Sequence, residues 1–189
     1  MKRFLVSILI IFTIVQTLIL IKQPVLGWDE SVYVGMAKYI ASSGDIGLWE
    51  DLRPLGLPLS ISSFWVFSSN NQTNIIFSKI VMVTFAFLTI LMTYFLAQKL
   101  FDKKTAVVAA TILTITPLFV FSSHLIHTEI LSTLLGFVAL YFFLDKKYYF
   151  AGIFTGLAFL TKFPQGILLI AFIATLYFSE QRKDILKLT

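Results

Sequence analysis

Long apolar runs separated by short polar segments dominate this chain. They cover residues 4–21, 75–97, 105–121, 128–144, 148–161 and 163–179. A helix needs about 20 residues to cross a hydrocarbon core of roughly 30 Å, and the first four runs satisfy that length once frayed ends are allowed. The fifth run is short, and Pro164 and Gly166 follow it at once, which is typical of a thinned or broken span or of a helical hairpin. The pattern predicts an all-α membrane protein with about six transmembrane helices in one domain, residues 1–189.

Basic residues give this arrangement an orientation. Ten of the 15 lysines and arginines fall on one side of the predicted spans: Lys2, Arg3, Lys99, Lys103, Lys104, Lys146, Lys147, Arg182, Lys183 and Lys187. Cytoplasmic loops carry such an excess, so both termini are predicted to be cytoplasmic and the segment 22–74 to lie outside. The first run is longer than the apolar core of a cleaved signal peptide, about 7–15 residues, and favours a retained anchor helix.

Composition agrees with an integral protein of the cell membrane, or of the endoplasmic reticulum in a eukaryote. Hydrophobic residues make up 58% of the chain and charged residues 13%, with a mean hydropathy of +0.88, which excludes an ordinary soluble domain. Cysteine is absent, so thiol nucleophiles and disulfides are excluded. The net charge of +5 reflects the basic cytoplasmic side and not a nucleic-acid partner. No glycine-rich nucleotide motif is present.

The external segment 22–74 is too long for a simple connection and too apolar for a disordered one. Asp29 is expected to cap a helix that continues to about Ser42, with Glu30 in its first turn. A second apolar stretch, 55–67, is too short to span and predicts another interfacial or re-entrant segment. The long first extracytoplasmic loop is therefore expected to contain interfacial helices.

Acidic and basic residues near this loop each allow two interpretations. Asp29 and Glu30 are explained by helix capping alone, or by a general base and a metal ligand, and as neighbours on a helix they should have different roles. Arg53 fits a membrane-surface arginine or a bidentate phosphate clamp. Lys79 and Lys162 fit snorkelling lysines or cations beside a lipid phosphate, with snorkelling favoured for Lys79.

A second polar cluster, comprising His124, His127 and Glu129, lies where the third span meets the fourth. Two histidines three residues apart can share a helical face, and an acid could complete a metal set, with Glu30 as a further candidate ligand. Polar residues at a wet interface explain the cluster more simply. The sequence thus identifies no certain cofactor, and a divalent metal stays an open alternative.

Four elements of the chain, taken in order, resemble a known family. An acidic pair opens the first external loop (28–30), and an Arg-Pro element with a second proline follows (53–58). An acid precedes a Leu-rich stretch (128–131), and a Gly-Leu-Ala-x-Leu-Thr-Lys-x-Pro segment comes last (156–164). In this order they resemble the GT-C superfamily of membrane glycosyltransferases, specifically the dolichyl-phosphate-mannose protein mannosyltransferase and aminoarabinose transferase group.

The resemblance implies inverting sugar transfer from a polyprenyl-phosphate donor to an acceptor (protein, lipid or glycan) on the extracytoplasmic side. Asp29 would be the leading general base, with Glu30 supporting the site or binding a metal. Arg53 and Lys162 would stabilise charge on the departing lipid phosphate, and His127 and Glu129 would contribute to substrate binding. Two positions depart from the family pattern, since Leu55 replaces a proline and Phe163 a glycine.

Two other classes stay open beside this resemblance. Family members typically continue through further spans, so the chain resembles their N-terminal half, and a second polypeptide supplying the missing spans is a candidate partner. A non-catalytic membrane assembly partner would also explain a short chain. A small transporter subunit is disfavoured, because transporters place ionisable residues near the bilayer midplane and here most charges lie at span ends.

Overall fold

The computed structural model describes residues 2–22, 26–68, 70–179 and 187. Nine α-helices and one 3₁₀ turn are present among these residues, and no strand is found in them. The elements follow in chain order: α1 Lys2–Lys22, α2 Trp28–Ala41, α3 Gly56–Phe67, α4 Asn71–Leu100, α5 Lys103–Ile115, α6 Pro117–Ser122, α7 Thr128–Leu144, α8 Tyr148–Thr161, the 3₁₀ turn Phe163–Gly166 and α9 Ile167–Phe178. The all-helical prediction is confirmed.

Within the described residues one helix, α4, is long and apolar enough to cross a membrane by length and composition. Its 30 residues correspond to about 45 Å at 1.5 Å per residue. The other apolar helices are shorter: Phe4–Leu20, Gly56–Phe67, Thr128–Leu144, Tyr148–Thr161 and Phe163–Phe178. The number of spans and the side of the termini therefore stay predictions. Arg182 and Lys183, two of the ten basic residues on the predicted cytoplasmic side, lie outside the described residues.

Packing between helices creates two apolar clusters. The larger one joins helices α1 to α7, and its fully buried members include Met36 of α2, Ile61 of α3 and Met82 of α4. The smaller one joins α7, α8 and α9, where the rings of Phe143 and Phe172 stack with centroids 4.2 Å apart. Because α2 and α3 share the larger cluster with α4, these two helices are packed firmly on the rest of the helical bundle.

The third apolar run is divided into two helices. Helix α5 ends at Ile115 and α6 begins at Pro117, with Thr116 in an extended conformation between them. Proline lacks a backbone N–H and disfavours helical geometry in the preceding residue, so a break at this position is expected. The run 105–121 is therefore not one continuous helix, and the membrane span predicted there stays a prediction.

The segment after α2 folds back along that helix. Ser43 and Gly44 have positive φ angles of 56° and 99° and end the helix, and Gly47 has a φ of 109°. A Cβ atom at Gly47 would lie 2.4 Å from the carbonyl oxygen of Gly35, so only glycine fits this close approach. The Leu48 N–H donates to the same carbonyl at 3.1 Å. The chain consequently returns toward the start of α2, where Arg53 meets Asp29.

Candidate active site

Arg53 lies against the first two turns of α2. Its Nη2 atom is 2.6 Å from Oδ1 of Asp29, and its guanidinium carbon lies 5.0 Å from the ring centroid of Tyr33. Asp29 and Tyr33 are four residues apart on one helix and therefore share a face. Oε2 of Glu50 is 3.6 Å from Nε of the same arginine. Arg53 is thus held by two carboxylates and an aromatic ring.

Electrostatics favour the charged form of both partners. The hydrogen bond from Arg53 lowers the pKa of Asp29 below its ordinary value of 3.8, despite an opposing effect of burial, and nearby His127 lowers it further. Tyr33 and then Asp29 raise the pKa of Arg53, which stays protonated. The Asp29 side chain is 51% exposed and that of Arg53 23% exposed. This is an ionised, solvent-accessible pair at the start of α2.

Glu30 faces the opposite way and is only 2% exposed. Its Oε2 accepts the N–H of Gly27 at 2.8 Å, and its Oε1 accepts the N–H of Ile126 at 3.0 Å. Gly27 is the N-cap of α2, so the prediction that Asp29 caps this helix was wrong. Glu30 instead satisfies the cap N–H from the third helical position, as the acidic residue of a capping box does.

A buried lysine accompanies Glu30. Lys79 of α4 is 3% exposed, and its Nζ lies 3.5 Å from Oε1 of Glu30. The snorkelling interpretation of Lys79 was therefore wrong, because the side chain lies inside the protein. His124 and Gln16 continue this polar interior, with Nδ1 of the histidine 3.3 Å from Oε1 of the glutamine. Burial lowers the pKa of His124, with a further lowering by Lys79 and an opposing effect of Glu30.

A second exposed ion pair joins α7 to the end of α8. Nζ of Lys162 donates to Oε1 of Glu129 at 2.9 Å, and the two side chains are 36% and 51% exposed. Glu129 is in the first turn of α7, and Lys162 is the C-cap of α8. His127, the N-cap of α7, interacts electrostatically with both Asp29 and Glu129. The histidine therefore links the two acidic positions.

A glycine brings the Arg53 turn and Lys162 to the same place. Gly56 begins α3 beside the end of α8, and a Cβ atom there would lie 2.4 Å from Oγ1 of Thr161 and 2.9 Å from its Cα. Such a distance leaves no room for a side chain. Arg53 precedes this contact by three residues and Lys162 follows it by one. Residues that are distant in sequence are thus brought near one another, and we call this group the external site after the predicted location of residues 22–74: Asp29, Tyr33, Glu50, Arg53, His127, Glu129 and Lys162.

The two histidines do not share a helical face, and a shared face was the less favoured of the two interpretations. His124 is buried in the turn before α7, whereas His127 is the N-cap of that helix. In the part of the chain that the structure describes, no three His, Asp or Glu side chains group as a metal site would require. Glu30, His124 and His127 are thus separated into the polar interior and the external site.

Comparison with known families identifies the family of this chain. The family model described as dolichyl-phosphate-mannose-protein mannosyltransferase matches residues 53–189, which is more than half of the chain. The chain belongs to this family. No curated protein and no solved structure matches it. Family membership indicates glycosyltransferase activity in general and an integral membrane protein, and it confirms the resemblance that the sequence elements suggested.

The mannosyltransferase match begins at Arg53 and includes Glu129 and Lys162. Asp29 and Glu30 precede the matched segment, so their connection to it comes from the contacts described above. Sequence reasoning missed two members of the external site, Tyr33 and Glu50. A signal for Tyr33 was available, because it follows Asp29 by four residues on the predicted helix. Glu50 lies three residues before Arg53, but the pairing depends on the fold of the intervening turn.

Proposed function

We propose that this chain transfers a sugar from a polyprenyl-phosphate donor to an acceptor hydroxyl on the extracytoplasmic side, with inversion at the anomeric carbon. One observation carries the proposal: an ionised carboxylate and an arginine, Asp29 and Arg53, are in contact at 2.6 Å on the external segment of a mannosyltransferase-family chain. The pair supplies a proton acceptor and a phosphate-binding cation at one place.

The transfer itself needs four coordinated changes. The acceptor oxygen attacks the anomeric carbon from the face opposite the phosphate, and its proton passes to the Asp29 carboxylate. The bond between the anomeric carbon and the phosphate oxygen breaks, and its electron pair stays on that oxygen. Arg53 and Lys162 stabilise the charge that develops on the departing polyprenyl phosphate, as preorganised cations do in other transfer reactions. His127 and Glu129 border the acceptor side.

Arg53 changes partner during the proposed reaction. Before the donor arrives, the arginine is paired with Asp29, which lowers the pKa of the carboxylate and weakens it as a base. A phosphate offers the guanidinium a better bidentate partner than one carboxylate oxygen does. When Arg53 turns to the donor, the pKa of Asp29 rises toward its ordinary value. Donor binding thereby prepares the base for the acceptor proton.

Membrane orientation is part of the same proposal. Six membrane segments with residues 22–74 outside would place the external site at the extracytoplasmic surface, in agreement with the excess of lysine and arginine on the other side. The chain has no cysteine, so single cysteines can be introduced as markers. A cysteine at exposed Asp45 should react with an impermeant thiol reagent in intact cells, and one at Lys103 should not. The reverse labelling would contradict the external location of the site.

The reaction can be tested with membranes that contain the full chain. Radiolabelled polyprenyl-phosphate mannose, polyprenyl-phosphate glucose and a nucleotide-linked mannose should be offered separately, with a matched preparation lacking the chain as the control. Transfer from a polyprenyl-phosphate sugar, with the product anomer opposite to that of the donor, is expected. Transfer only from the nucleotide sugar, or retention of the donor anomer, would contradict the proposal.

A further inference from the structure

A buried pair of opposite charges, Glu30 and Lys79, lies beneath the external site. Their exposed fractions are 2% and 3%, and Nζ and Oε1 are 3.5 Å apart. Removing two charges from water is costly, and replacing such a pair by apolar residues is often neutral or stabilising. Stability alone therefore gives a weak reason for placing these two side chains here, and their geometric effect needs to be considered.

Glu30 connects three separate segments. Its two carboxylate oxygens reach the Gly27 N–H at the start of α2 and the Ile126 N–H in the turn before α7, while Lys79 approaches from α4. Ile126 is itself fully buried. The residue next to Glu30 is Asp29, and the residue next to Ile126 is His127. One carboxylate thus lies directly behind two residues of the external site.

We propose that Glu30 and Lys79 are positioning residues, which fix the first turn of α2 against the turn before α7 and thereby set the separation between Asp29 and His127. The inference rests on the proposed function insofar as that separation matters for sugar transfer. Neither side chain touches substrate, because both are buried. Each acts through its neighbours: the Glu30 carboxylate holds two backbone N–H groups, and Lys79 offsets its charge.

The difference between a carboxylate and an amide provides the test. In Glu30→Gln only one of the two terminal atoms can accept, so one of the two N–H groups loses its partner. A misplacement of about 1 Å at a reactive group can cost roughly 10²-fold in rate. We expect kcat to fall by about that factor with little change in the donor KM, because Arg53 and Lys162 are untouched.

Substituting Lys79 alone and together with Glu30 distinguishes a positioning role of this pair from a role in stability. Lys79→Met alone should lower the melting temperature by leaving Glu30 charged and unpaired. The double variant Glu30→Gln with Lys79→Met is neutral and should recover much of that loss, but it should keep the low kcat. Thr89→Val in α4 is the control, since Thr89 is fully buried and its hydroxyl donates to the carbonyl of Phe85 in its own helix. That variant should retain the kcat of the wild type.

A distance measurement makes the inference independent of turnover. Cysteines at Ser31 and Leu125, carrying spin labels, report the separation of α2 from the turn before α7. One narrow distance distribution is expected in the wild type and a broader or shifted one in Glu30→Gln. If the wild type transfers no sugar, the proposed function fails, and this measurement alone decides the positioning role. An unchanged distribution, or recovery of both stability and kcat in the double variant, would overturn the inference.

Discussion

Asp29 and Glu30 are neighbours in the sequence, yet their surroundings are opposite. Asp29 is half exposed and paired with Arg53, which lies in the turn before α3. Glu30 is buried and paired with Lys79, which a membrane-length helix supplies. Successive residues of a helix point about 100° apart, because 3.6 residues complete a turn. The same helical turn therefore presents one acid to solvent and the other to the protein interior.

The two ion pairs formed by these neighbouring acids differ in strength, and this difference suits them to different roles. An exposed ion pair contributes only about 0–1 kcal/mol, so it can open and exchange partners at little cost. Breaking a buried pair by removing one partner costs about 3–5 kcal/mol, so that pair stays closed. In the proposed reaction the weak pair changes partner, and the strong pair keeps the site in place.

The largest effect should come from breaking the buried pair on one side only. Lys79→Met leaves a carboxylate without its cation in the interior, and we expect a loss of about 3–5 kcal/mol in the free energy of unfolding. Asp29→Asn should cost less than about 1 kcal/mol, because that pair is exposed. Thermal and denaturant unfolding in the same detergent measure both variants. Equal losses would show that the two pairs do not differ as described.

A glycine substitution tests how closely the Arg53 turn must approach Lys162. In Gly56→Ala the new Cβ would meet the backbone and side chain of Thr161, so α3 must move, at a cost of about 1–3 kcal/mol. Gly156→Ala is the matched control, because a Cβ there has no atom within 4 Å and helix propensity favours alanine by up to about 1 kcal/mol. Melting temperature and donor KM should worsen in the first variant only. No change in Gly56→Ala would contradict this close approach.

Donor binding should distinguish the two exposed cations. Arg53→Lys keeps the charge but loses the planar fork, and we expect the donor KM to rise about tenfold, equivalent to about 1.4 kcal/mol. Lys162→Ala should raise it less, because solvent more easily replaces a point charge at an exposed position. The measurement is a donor titration at saturating acceptor. A larger rise in donor KM for Lys162→Ala would indicate that Lys162, and not Arg53, is the main phosphate-binding residue.

The buried polar interior and the exposed Asp29–Arg53 pair should affect the stability of the protein in different pH ranges. Burial lowers the pKa of His124 below its ordinary 6.5, so the folded state favours the neutral ring. Its contribution to stability is complete above pH 6.5 and is lost as pH falls, with a slope of at most about 1.4 kcal/mol per unit. Asp29 affects stability at lower pH. Because its pKa is lowered in the folded state, its contribution to stability is present above pH 3.8 and is lost as pH falls through the folded-state pKa.

His124→Gln provides the check on that ordering. Unfolding free energies measured between pH 8 and 5 should decline for the wild type and become flatter in the variant. His127→Gln, a substitution of the more exposed histidine, is the control variant. A decline that persists unchanged in His124→Gln would locate the pH-sensitive group elsewhere.

Local patterns predicted much of this fold. Helices α2 and α3 correspond to the helix predicted to continue to about Ser42 and to the apolar stretch 55–67, and α2 ends at Ala41. The assignment of Asp29 as the cap was wrong, because the helix begins earlier and Gly27 has no side chain to signal its role. The break at Pro117 had a local signal that length reasoning overlooked.

Long-range partners could not be predicted in the same way. Lys79 resembles a snorkelling lysine by its position near a helix end, and its carboxylate partner lies 49 residues earlier in the sequence. The contact between Gly56 and Thr161 likewise depends on how α3 and α8 meet. Such pairings follow from tertiary packing, which hydrophobic periodicity does not encode. Asp29, Arg53, Glu129 and Lys162 were identifiable as residues, but their arrangement in pairs was not.

The most direct test of the central claim is sugar transfer by Asp29→Asn in membranes that contain equal amounts of folded chain. The amide keeps the shape of the carboxylate but cannot accept the acceptor proton at neutral pH, so turnover from a polyprenyl-phosphate sugar should fall by about 10²–10⁴-fold, while the free energy of unfolding should fall by less than about 1 kcal/mol. Asp45→Asn, at another exposed acid between α2 and α3, should retain wild-type turnover. Near-normal transfer by Asp29→Asn would remove this residue from the role of base and contradict the account.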